Sequence, residues 1–151
     1  MHMPDHILSP QVALAMGGAS LVALGYTIQK LRHGLHTVEP LQSASVAACI
    51  FVIQMLNVTI PGTTASGHII GAALAVALLG RYMALLVMVA VVSIQALFFA
   101  DGGLMALGAN LFNMAVLPCL VLAPVLNHYV PETRALLRTS VLAALSVVIG
   151  A

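Results

Sequence analysis

The stretch "GHIIGAALAVALLGRYMALLVMVAVVSIQALFF", residues 67–99, contains one charged residue, Arg81, in 33 positions. A helix that crosses a bilayer needs about 20 mostly apolar residues. The stretch is too long for one crossing and nearly long enough for two. Arg81 interrupts it near the middle, which predicts two crossings, 67–80 and 82–99. The first of them is short.

Similar apolar runs occupy 9–28, 41–59, 104–127 and 136–151. The expected fold class is all-α, a single polytopic transmembrane helix bundle over 1–151 with about six spans. The sixth reaches the chain end without a flank, so the chain is expected to be truncated or completed by another polypeptide. No internal repeat is visible. The 151 residues are 62% hydrophobic and 6% charged, with a mean hydropathy of +1.11. Soluble domains carry about a quarter charged residues, so this chain cannot clothe itself for water. Trp is absent and Tyr occurs three times, which makes the aromatic belt of the interfaces thin. Cys49 and Cys119 lie in apolar stretches, away from metal or disulfide spacing, and are expected as small buried hydrophobes. No basic run points to nucleic acid. Lys30, the only lysine, lacks the glycines of a phosphate-binding loop, so transport that consumes ATP requires another chain to hydrolyse it.

With alternating spans, all five positive charges (Lys30, Arg32, Arg81, Arg134 and Arg138) fall on one side. Cytoplasmic loops carry the Lys/Arg excess, so that side is expected inside, with the N-terminus and the loops near 60–66 and 100–104 external. The outward face then carries His2, Asp5, His6, His68 and Asp101. The opening "MHMPDHILSP" lacks the positive region that begins a signal peptide.

A free amino terminus followed by His supplies three nitrogens: the terminal amine of Met1, the backbone amide nitrogen of His2 and the His2 imidazole. Neighbouring pairs close small chelate rings, and one more imidazole completes a planar set of four. His68 is the expected fourth donor. Planar nitrogen coordination suits Ni(II) or Cu(II). Ser66 or Thr64 is expected to cap the helix that carries His68. Taken singly, a second-position His is most often solvated, and a His near a helix end often only satisfies a carbonyl. Their shared face is what raises the pair.

Polar side chains inside spans are costly and either functional or bridging. Gln54 and Asn57 share a helix face by spacing, as do Asn110 and Asn113. Each pair either supports the metal ligands or holds the N-terminal tail, or it bonds helix to helix. Asp101, with Gly102 and Gly103, is expected to cap the following helix. Gly67, Gly71 and Ala75 mark close internal packing, and Ser43, Ala44, Ala47 and Ala48 give a second small-residue face.

The segments "MHMPDHILSP", "TTASGHIIG" and "QALFFADGGLMALGANLFNMAV", in that order, resemble the nickel/cobalt substrate-capture subunits of energy-coupling-factor transporters, and the likeness covers nearly all of the chain. The resemblance implies capture and ATP-driven import of Ni(II) or Co(II) as transported substrate, with no organic cofactor and no catalysis by this chain. It implies a metal site of Met1, His2 and His68 and an N-terminal tail inserted into the bundle. It also implies as partners a transmembrane coupling subunit docked on small-residue helix faces, two ATPase subunits and a small accessory membrane subunit, in a bacterial or archaeal cell membrane. Two departures stand out: family members commonly have Gly where His6 stands, and they are usually longer. The alternative is a membrane-embedded metal sensor or accessory protein that binds without transporting. A hydrolase built on Ser66 and His68 lacks an oxyanion site.

Overall fold

The computed structural model describes residues 3–33, 39–56, 58–59, 66–67 and 69–150. Helix α1 (Pro10–His33) begins where a serine precedes a proline. Ser9 Oγ accepts from the Val12 N–H at 3.4 Å, and Pro10 forfeits no bond, because the first helical N–H has no partner within the helix. Lys30, Arg32 and His33 close the helix, where cations suit the dipole. Helix α2 (Pro40–Met55) also starts on a proline. A minimal antiparallel pair comes next, β1 (Val58–Thr59) with β2 (Ser66–Gly67), Val58 opposite Gly67. Then come α3 (Ala72–Phe98), α4 (Leu107–Tyr129) and α5 (Ala135–Gly150).

Helix α3 is two arms. Gly80 sits at φ 73 and ψ 163, outside the helical region and open chiefly to glycine. A straight helix of its 27 residues would be about 40 Å long. Yet the residues flanking its two ends lie against neighbouring positions of α2. A carbon added to Gly71 would stand 3.0 Å from Ile50 Cγ2, and the Phe99 ring lies 5.1 Å from that of Phe51. The chain therefore reverses at Gly80, separating a short arm, 72–79, from a long arm, 81–98. The break expected beside Arg81 falls here.

The short arm starts five residues later than the sequence suggested. Ser66 and Gly67 belong to β2, and the helix enters through Gly71 at φ 79 with no side-chain cap. Ser66 therefore does not cap it, and Thr64 lies outside the described residues. Gly67, Gly71 and Ala75 form no helical stripe. Gly71 is required by its positive φ and by Ile50.

The long arm is the centre of the packing. Ala84, Leu85, Val87, Met88, Val91, Val92 and Ala96 are buried along it, the spacing of one helical stripe. All but Ala96 share one core with Val46 and Ile50 of α2, Ala75 and Leu79 of the short arm, and Met114, Ala115 and Cys119 of α4. Helix α4 is wound wide from Phe112 to Leu122 around Pro118, and the Ala123 N–H reaches back to the Pro118 carbonyl. A π turn of this kind re-satisfies backbone groups beside a proline. Among the described residues, α1, α3 and α4 are long and apolar enough to cross a membrane. Cys119 is buried as expected. Cys49 is exposed, because it lies to the side of the Val46–Ile50–Gln54 face that α2 turns inward.

Helix α1 buries little beyond Ser20 and Thr27, and one close crossing ties it to α4. Ser20 Oγ donates to the Gly108 carbonyl at 2.9 Å, and a carbon on Gly108 would overlap the Gly17 backbone, 2.8 Å from its nitrogen. Backbone cannot rotate aside as a side chain can, so Gly108→Ala should cost about 3 kcal/mol, the upper range for overpacking. Thermal unfolding in detergent should show this as a markedly lower midpoint. An unchanged midpoint would mean the crossing tolerates a methyl group.

Candidate functional site

Residues 3 and 5 are bonded to residues a hundred or more positions later. The Met3 N–H donates to Asn110 Oδ1 at 2.8 Å, and Asn110 Nδ2 donates to the Met3 carbonyl at 3.2 Å. The same carbonyl accepts from the Gly103 N–H at 3.0 Å. A carboxamide carries one acceptor and one donor group, so Asn110 meets a peptide unit as a neighbouring strand would. Asn110 is 1% exposed. At that depth each of these bonds is worth keeping, since a buried donor left without a partner costs about 1–3 kcal/mol.

A second lock lies two residues on. Asp5 Oδ1 accepts from the Ala106 N–H at 3.0 Å, just before the first turn of α4. An acidic side chain at a helix start satisfies a free N–H and suits the dipole. Asp5 thus meets the start of α4 from the other end of the sequence. The Asp101 N–H donates to the Gln95 carbonyl at 3.1 Å, as does the Phe99 N–H. The turn closes through Ala100 at φ 53 and Gly102 at φ 102. Gly103 is needed for a different reason. A side-chain carbon there would overlap the Asp5 carboxylate and backbone nitrogen.

Gln54, fully buried, donates through Nε2 to the Ile70 carbonyl. It therefore holds the segment that enters α3, two residues past His68. Of the two expected polar pairs, Gln54 and Asn110 act this way. Asn113 is half-buried and makes no hydrogen bond among the described residues. Met1, His2, Asn57 and His68 lie outside the described residues, as does the His6 side chain. Among the described residues no group of three His, Cys, Asp or Glu is placed to hold a metal. On the small-residue face of α2, Ala44 and Ala48 are exposed, while Ser43 and Ala47 are half-buried. That face is split between the surface and the packing.

Sequence reasoning missed Gln95. Its side chain is fully buried in the long-arm stripe, and neither amide atom has a hydrogen-bond partner among the described residues. The available signal was an amide inside an apolar stripe, four residues before the tight turn. Such a group is expensive to leave unsatisfied.

A family described as cobalt uptake substrate-specific transmembrane region, CbiM, matches residues 2–151. A fused nickel transport protein, NikMN, of Rhodobacter capsulatus is 43% identical over 126 residues, 83% of this chain and 36% of its own. A cobalt transport protein, CbiM, of Salmonella typhimurium is 37% identical over 121 residues, covering 78% and 48%. The crystal structure of a truncated transition metal transporter superposes with a TM-score of 0.86 at 33% identity, covering 99% of this chain and 70% of that one. Against the first curated relatives, the chain spans between 36% and 55% of their length.

Proposed function

Since the chain belongs to the CbiM family of cobalt-uptake transmembrane proteins, a family of nickel and cobalt transport proteins, we propose that it captures Ni(II) or Co(II) at its amino terminus for ATP-driven import. The ligands are the Met1 amine, the His2 amide nitrogen and imidazole, and the His68 imidazole. The helices make six crossings, with the N-terminus external and its tail folded into the bundle. Separate ATPase subunits act through a transmembrane coupling subunit. The hold of Asn110 on Met3 carries this reading. It fixes the residue next to His2 against α4, which leaves less of the tail to be ordered at the moment of binding. Pre-ordering of that kind raises affinity without a new contact. Gln54, bonded to the Ile70 carbonyl, supports the His68 side in the same way.

Four nitrogens in a plane favour nickel over cobalt, and relatives named for nickel are among the more similar ones. The amine and the amide must lose protons to bind, so affinity rises with pH. Titration of the purified protein with Ni(II), followed by visible absorption, should give a planar-nickel band at one equivalent, with tighter binding at higher pH. An octahedral spectrum, or affinity independent of pH, would refute the ligand set. Nickel uptake by cells, measured with and without the ATPase subunits, separates import from sensing. Uptake that ignores the ATPases would rule out the energised route.

A further inference from the structure

At the opposite end of the bundle from the tail, α1 and the long arm of α3 bring together two cations and two phenol rings. The Tyr26 and Tyr82 rings meet edge to face at 6.2 Å. Lys30 Nζ lies 5.6 Å from the centre of the Tyr26 ring, and the Arg81 guanidinium lies 4.6 Å from that of Tyr82. Arg81 Nη2 also donates to Tyr82 Oη at 2.8 Å. The charges reach across the pair, since Arg81 acts electrostatically on Tyr26 and Lys30 on Tyr82. Lys30, Arg81 and Tyr26 are exposed. Among the described residues neither cation has a carboxylate partner.

Two positive charges set on adjoining rings, with no carboxylate partner among the described residues, repel one another. Arg81 also stands at the start of the long arm, where a cation opposes the helix dipole. The arrangement is electrostatically unfavourable unless an anion joins it. The reversal at Gly80 fixes where that anion must be: at the end of the helices, where a membrane protein meets the lipid headgroups. Phenol rings favour that depth, and a guanidinium offers paired donors to a phosphate.

We propose that Tyr26, Lys30, Arg81 and Tyr82 form a seat for the phosphate of an anionic phospholipid. The rings form the floor and stiffen the two cations, whose remaining donors face the phosphodiester. The seat depends neither on the metal site nor on which leaflet the turn faces, because only the headgroup charge is recognised.

The chain has three tyrosines and no tryptophan, so tyrosine emission becomes specific to the seat once Tyr129, which is exposed on α4, is replaced. The Tyr129→Phe protein in neutral detergent would be titrated with phosphatidylglycerol and, separately, with phosphatidylcholine. Phosphatidylglycerol should change the emission saturably, and phosphatidylcholine should not. Adding Lys30→Gln and Arg81→Gln together should weaken the response by at least about tenfold, since each basic residue near a charged membrane surface contributes substantially. Arg32→Gln, on the same helix but outside the seat, should leave it unchanged, as should inorganic phosphate at matched ionic strength. Equal responses to the two lipids, an undiminished response in the double variant, or an Arg32→Gln loss as large as the double variant's would overturn the proposal. Displacement by inorganic phosphate would overturn the lipid assignment. Lys30→Arg with Arg81→Lys keeps both charges and should bind as the parent does, which separates loss of the seat from loss of the fold.

Discussion

One residue added ahead of Met1 should weaken Ni(II) binding by at least about a thousandfold, because even outer partners of metal ligands are worth about 10–100-fold and this change removes a ligand. The extension turns the terminal amine into an amide and moves the new amine out of reach of the chelate ring. Residue 3 cannot slide to compensate. Its N–H and carbonyl are bonded to Asn110 and Gly103, and Asp5 is anchored at Ala106. Visible absorption of native and extended proteins, titrated side by side, measures the loss. Equal affinity in the two would show that the amine is not a ligand and would send the search to other donors.

Asn110→Leu should weaken Ni(II) binding by roughly 30- to 1,000-fold without changing the spectrum at saturation. Leucine fills a similar volume but offers Met3 nothing. The Met3 N–H is left without its acceptor, while its carbonyl keeps only the Gly103 donor. One buried orphan and one lost bond amount to about 2–4 kcal/mol, which is the stated range in an equilibrium constant. That energy is taken from the docked tail, so the fraction of molecules competent to bind falls and the apparent affinity falls with it. Asn113→Leu, one turn away and without a bond to the tail, should leave affinity unchanged. If Asn110→Leu lowered the melting midpoint but not the affinity, Asn110 would be a packing residue and the tail would be ordered by something else.

The helices were legible because composition and length constrain them strongly. A 33-residue apolar stretch with one arginine had to turn, and it turns at the adjacent glycine. The start of α3 was not legible. His68, Ile69 and Ile70 look as helical in sequence as Ala72 and Ala73 do, and only the β1–β2 pair and the positive φ of Gly71 delay the helix. Asn110 was visible as a polar residue in an apolar span, but its partner was not. Nothing local links position 110 to position 3, and Asn113 offered the same spacing argument without the contact. Asp5 was overlooked for a similar reason, since it reaches the start of α4 from the far end of the sequence. Gln95 was overlooked because a single amide scarcely disturbs the hydropathy of its stretch, although burial makes it among the costliest groups there.

The bond between Met3 and Asn110 closes a loop of 107 positions, and this sets the order in which the protein can be finished. During synthesis the amino terminus emerges first and waits, complete in its chemistry, while the residues that receive it have not yet been made. Closing so long a loop is slow and entropically costly before the helices have packed. A chain halted before α4 would carry the proposed chelating nitrogens with no seat for the tail. Firm hold on the ion would then be acquired only once α4 has been made and packed, so that a loaded molecule reports that this helix is in place.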